Sequence, residues 1–224
     1  MSALDLVIAR HGNTFGPGDT VTWVGRNEDL PLVEQGLAQA EALGDLLVRR
    51  GWRPQRVLAS SLQRTRGHAE RALFVAGWSD TQVEADPRLD EIDYGPWGGL
   101  SSAQIEARGD GAALQRWADQ ADWPAAFAER EEDVRARVQG LATELAQAAA
   151  AAPWRGDQRV LLVSSNGVMR YLLDLVPGEL ARRRAEGSFK VGTGRVGRLR
   201  WAGGRWQLLA WNVAARDMAL DIPG

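Results

Sequence analysis

Three short runs of almost purely aliphatic residues constrain this chain most: Leu4-Asp5-Leu6-Val7-Ile8-Ala9, Arg56-Val57-Leu58-Ala59 and Val160-Leu161-Leu162-Val163. Each is too short for a core helix, and the first ends at the polar loop Arg10-His11-Gly12. A strand that is apolar on both sides has to be covered on both faces. Between and after these runs lie helical patterns. Leu32, Leu37, Ala40, Leu43 and Leu47 recur at helical spacing up to about Gly51, and a second helical segment runs from about Leu62 to Val75. A third spans Glu129 to Ala152, with Val134, Val138, Leu141 and Leu145 on one face, an alanine run of high helix propensity and a stop at Pro153. A shorter helix is expected from Val168 to Val176. Alternating segments at Arg195–Trp201 and Trp206–Val213, around Ala202-Gly203-Gly204-Arg205, predict a terminal hairpin. Strands alternating with helices predict a three-layer α/β/α sandwich around a mainly parallel sheet. Ligands bind such sheets beyond the carboxyl ends of the strands. The loops Arg10–Thr14, Ala59–Arg64 and Ser164–Gly167 are therefore expected to converge.

Composition removes several chemistries. The chain has no Cys, so thiolate nucleophiles, disulfides and CxxC zinc sites are excluded. With only His11 and His68, a three-histidine zinc site is excluded too, and no metal or organic cofactor is called for. The 27 basic and 29 acidic residues leave a net charge of -2, without the clustered positive excess a nucleic-acid surface needs. No run of about 20 apolar residues could span a membrane. Asp5 interrupts the first apolar run, which is too short for a signal peptide, so the cytoplasm is the expected compartment. At 224 residues, one domain over 1–224 with an insertion at about 95–130 is expected.

Arg10-His11-Gly12 at the end of the first strand resembles the signature of the histidine phosphatase superfamily, the phosphoglycerate-mutase-like fold. Further pieces follow in the family's order: Asp29-Leu30-Pro31-Leu32 with Gly36 and Gln39-Ala40, then Ser60, Leu62, Gln63 and Arg64, then Leu89-Asp90-Glu91 with Tyr94-Gly95 and Trp97. The resemblance implies that His11 is a nucleophile and Glu91 the acid that protonates the leaving group. It implies that Arg10 and Arg64 bind the phosphate, with Asn13 and Thr14 as neutral donors. The chemistry suits these residue types. A neutral imidazole can attack phosphorus, water can hydrolyse the phosphohistidine, and guanidinium forks match phosphoryl oxygens. The partner would be a small-molecule phosphomonoester or phosphate.

One position departs from the pattern. The family usually carries a second His in a Ser-His-Gly-type turn, whereas this chain has Ser164-Ser165-Asn166-Gly167. Ser165 and Asn166 can donate hydrogen bonds, but a cationic donor is lost. Removing one such donor costs about 2.7–4 kcal/mol, or roughly 10²–10³ in rate. The sequence therefore predicts a phosphomonoester hydrolase with a weakened site. The alternative is a non-catalytic phospholigand-binding protein, and a mutase is disfavoured. His68, one helical turn after Arg64, reads as a packed helix histidine rather than a replacement. Arg26 reads as exposed. The segment at 95–130 reads as a lid whose Trp97, Trp117, Trp123 and Phe127 pack it on the sheet. Trp201, Trp206 and Trp211 read as packing or interface residues.

Overall fold

The computed structural model describes residues 3–151 and 157–220. Six strands, β1 (Leu4–Arg10), β2 (Arg56–Ala59), β3 (Val83–Ala85), β4 (Gln158–Ser164), β5 (Arg195–Ala202) and β6 (Arg205–Ala214), form one sheet in the order β3-β2-β4-β1-β5-β6. The first four pair in parallel, and the β5–β6 hairpin lies antiparallel on the other edge of β1. Helices cover both faces: α1 (Glu34–Arg49), α2 (Gln63–Val75), α3 (Ser102–Ile105), α4 (Gly111–Gln120), α5 (Glu131–Ala151), α6 (Asn166–Met169) and α7 (Glu179–Ala185). The mainly parallel α/β architecture expected from the sequence is thus present.

The two-sided burial of β1 explains its composition. Leu4, Leu6 and Ile8 pack with Val134, Val138 and Leu141 of α5, while Val7 and Ala9 pack with Leu43, Leu46 and Leu47 of α1. Asp5 interrupts the run without loss because its carboxylate is fully used. It accepts from Arg198 Nε at 2.8 Å and from Trp52 Nε1 at 2.8 Å, which satisfies a buried charge.

Several elements differ from expectation. β3 has only three residues and no apolar run. The helix expected at 168–176 is a single α turn, α6, starting two residues earlier and followed by a 3-10 segment over Arg170–Leu175. α7 was not expected; its residues are mostly charged and only Leu180 is buried. The predicted stop at Pro153 lies outside the described residues. Between 95 and 130 the chain forms a 3-10 turn, α3 with a Ser101/Gln104 capping box, a π-type turn over Glu106–Asp110, and α4. Trp97, Trp117 and Phe127 are buried and meet edge to face, Trp97 and Phe127 at 5.2 Å and Trp117 and Phe127 at 5.1 Å. These aromatics therefore pack the segment onto the core. On the hairpin, Trp211 is buried and donates to Phe189 O at 3.1 Å, while Trp201 and Trp206 lean on the same core.

Candidate active site

Parallel strands end at one rim, and the chain delivers its polar residues there. β1 ends in Arg10 and runs into His11 and Gly12, whose backbone is tightly held. His11 N–H donates to Ser164 O at 3.1 Å, and Gly194 N–H donates to the Arg10 and His11 carbonyls at 3.2 Å. A Cβ on Gly12 would collide with Gly36 in the first turn of α1, and one on Gly36 would collide with the Asn13 carbonyl. Two glycines thus let α1 lie against the loop.

The His11 ring is 6% exposed and its Nδ1 lies 2.7 Å from Gly12 O. A carbonyl only accepts, so Nδ1 carries the proton and Nε2 keeps its lone pair. Burial holds the imidazole well below its ordinary pKa, reinforced by the charges of Arg10 and Arg64. A neutral imidazole at neutral pH follows.

Of the three expected loops, Arg10–Thr14 and Ser164–Gly167 contribute to one pocket, whereas no residue of Ala59–Arg64 lines it. A pocket of about 400 Å³ is lined by Arg10, His11, Asn13, Thr14, Glu91 and Asn166, with a wall from the 15–24 segment, Tyr94 and Thr193. Arg10 donates to Val191 O at 2.8 Å and keeps a buried Nε without a protein partner. Asn166 Oδ1 accepts from Val191 N–H at 2.8 Å, which leaves its amide nitrogen as the donor. Asn13 Nδ2 donates to Gln35 Oε1 at 2.9 Å. Arg64 is 1% exposed and lies behind the pocket lining, bonded to Glu28 O at 2.7 Å and Gly25 O at 2.9 Å, with Nε unpartnered. Ser165 is the N-cap residue of α6, fully buried, with an Oγ that has no protein partner.

Glu91 is 5% exposed and enters from the loop after the 3-10 turn at Pro87–Leu89. Its carboxylate accepts from Gly167 N–H at 3.2 Å and from Ile92 N–H at 2.9 Å. Any Cβ on Gly167 would overlap that carboxyl group, so the glycine permits the approach. Tyr94 hydrogen-bonds Glu91, and burial first, then the Glu91 charge, pushes its phenol well above the ordinary range.

Three supporting residues were not legible as such in the sequence. His68 is fully buried and its Nδ1 accepts from Gly12 N–H at 3.1 Å. It therefore supports the His11 loop from behind, a role between the two readings offered by the sequence. Arg170 is 2% exposed, with its guanidinium 4.1 Å from the Trp117 ring centroid and 5.0 Å from that of Phe189. Its NH1 is buried and unpartnered, and its charge acts on Arg10 and Tyr94. Tyr94 is the third. The spacing of His68 after Arg64 and the place of Tyr94 in the Glu91 motif were the available signals; Arg170 gave none, because rings from distant segments hold it. Arg26, expected to be exposed, is half-buried and paired with Glu129 at 3.3 Å. Among the described residues no cluster of His, Asp and Glu is arranged to hold a metal ion, and no helix is long and apolar enough to cross a membrane.

This fold, with the buried His11 imidazole and Arg10 at the end of β1, is that of a histidine phosphatase. The chain belongs to the histidine phosphatase superfamily (branch 1), which it matches over residues 6–214. It is 32% identical over 228 residues to the glucosyl-3-phosphoglycerate phosphatase of Mycobacterium tuberculosis, covering 96% of this chain and 97% of that protein. The native structure of a mycobacterial glucosyl-3-phosphoglycerate phosphatase superposes with a TM-score of 0.76 at 31% identity, covering 95% of this chain and 100% of that one. Its complex with inorganic phosphate gives 0.75 at 30% identity, covering 96% and 100%.

Proposed function

We propose that the protein hydrolyses phosphomonoesters through a phosphohistidine formed on Nε2 of His11. One observation carries the reading: a buried imidazole whose Nδ1–H is committed to Gly12 O, leaving Nε2 as the free lone pair in a pocket that also contains Arg10 and Glu91. Attack on phosphorus makes the imidazole cationic, and the Gly12 carbonyl stabilises that charge through Nδ1–H. Arg10, Asn166 and the hydroxyl of Ser165 hold the phosphoryl oxygens, with Arg64 and Arg170 adding positive potential from behind, while Asn13, whose Nδ2 is bonded to Gln35, faces the rest of the substrate. Glu91 acts in its protonated form, giving that proton to the departing alkoxide and then taking one from the attacking water. Ser165 stands where the family carries its second histidine, and the loss of that cation weakens the site without removing nucleophile or acid. The segment at 95–130 is the inserted lid of a single domain. Sugar-bearing monophosphates, with and without a second anion, are the esters to assay first, because the relatives are named for one that carries a carboxylate.

The test is a rapid quench at alkaline pH with a ³²P-labelled monoester. An acid-labile, base-stable phosphoenzyme is expected, absent in His11→Ala and present in His68→Asn. Label retained in His11→Ala would assign the nucleophile elsewhere.

A further inference from the structure

Beyond the phosphate end the pocket has a distinctive wall. It is built by Asn13, Thr14, Phe15, Thr22, Trp23 and Thr193, and among the described residues lining the pocket Arg10 is the one cation and Glu91 the one carboxylate. Both belong to the phosphoryl end. What remains is uncharged: amide and hydroxyl groups that donate or accept, beside two aromatic rings. Trp23 is fixed in this wall. Its ring meets Tyr94 edge to face at 5.3 Å and Trp97 at 6.0 Å, and its Nε1 donates to Ser102 Oγ at 3.3 Å. It is half-buried, so part of a rigid indole faces the pocket.

Resting on the phosphatase reading above, we infer that this wall selects a monophosphate ester with an uncharged, hydroxyl-rich body, a sugar or polyol monophosphate, and disfavours esters carrying a second anion. A second phosphate or a carboxylate entering here would lose its water without meeting a counter-charge, and that loss is uncompensated. A polyol replaces its water with the Asn and Thr groups, and its C–H faces pack on the rings. The cavity volume of about 400 Å³ leaves room for such a body beside the phosphate.

The experiment compares four esters: ethyl phosphate, a hexose monophosphate, the corresponding hexose bisphosphate and the carboxylate-bearing glucosyl-3-phosphoglycerate. Hydrolysis of ethyl phosphate, lost in His11→Ala, tests the phosphatase reading alone. For the wall, kcat/KM of the hexose monophosphate is expected to exceed that of each of the two extra-charged esters by about tenfold or more. Val21 is 65% exposed on the pocket rim. Val21→Lys places a cation there and is expected to cut that ratio about tenfold. If the chain proves not to turn over, the same order is expected in calorimetric affinities for the four esters. A bisphosphate handled as well as the monophosphate, in rate or in affinity, overturns the inference, as does a ratio indifferent to Val21→Lys.

Discussion

Gly12 is held from three sides: His68 accepts its N–H, His11 donates to its carbonyl, and the backbone of Gly36 occupies the space a Cβ would need. His68→Leu would leave the Gly12 N–H buried without an acceptor, a cost of about 1–3 kcal/mol. His68→Asn offers an amide oxygen near the position of Nδ1. We expect the urea midpoint and kcat to fall together in His68→Leu and to recover in large part in His68→Asn. Equal losses in both variants would show that ring volume matters, not the hydrogen bond. A second prediction concerns Ser165, whose buried Oγ has no protein partner. Ser165→His should raise kcat on monoesters, with a ceiling of about 10²–10³ set by one charge-assisted donor. The measured gain should fall short of that, since misplacement by about 1 Å can itself cost 10²-fold. A folded Ser165→His protein with unchanged turnover would favour the phospholigand-binding alternative. The place of His11 at the pocket was legible because an Arg-His-Gly tripeptide followed a buried strand. The places of Arg64 and Arg170 were not, because each guanidinium is set by backbone carbonyls or rings far away in sequence.

At the scale of elements, legibility followed burial. β1, β2 and β4 are covered on both faces and were written as aliphatic runs, so the sequence located them within about two residues. β3, at the sheet edge, has Val83-Glu84-Ala85 with Glu84 paired to Arg56 at 2.7 Å. Its strand character comes from its neighbour, not from its own pattern. α7 is amphipathic over too few turns to register. The β5–β6 hairpin was legible through its turn. Gly203 and Gly204 have φ of +58° and +79°, the left-handed pair that a two-residue hairpin loop uses. Gly204→Val should therefore destabilise the protein by about 1–2 kcal/mol, while Gly203→Asn should be nearly neutral. Thermal unfolding of the two variants checks this; a tolerated valine would mean that the turn rearranges.

For the whole molecule, both histidines are buried in the neutral form. Burial lowers His68 to about 4 and holds His11 well below its ordinary value. In the unfolded chain both titrate near 6.5. Between these limits the unfolded state binds more protons, so stability is complete above about pH 6.5 and falls as the pH drops towards 4. The slope approaches about 1.4 kcal/mol per pH unit for each histidine. Urea midpoints at pH 7.5 and 5.5 should differ accordingly, and His68→Asn should flatten the difference; a midpoint constant over that range would contradict the neutral burial of these rings. The position of β1 has a further consequence, for the order of events during synthesis. Both its neighbours, β4 and β5, begin after residue 157, so the sheet centre closes over a loop of most of the chain. At about 5–20 residues per second, the ribosome needs on the order of ten seconds to supply them. During that interval an aliphatic strand has two open edges, the template on which other chains pair. A product ending before residue 157 should therefore lack both partners of β1 and aggregate through that strand, which light scattering of the shortened and full-length chains would check.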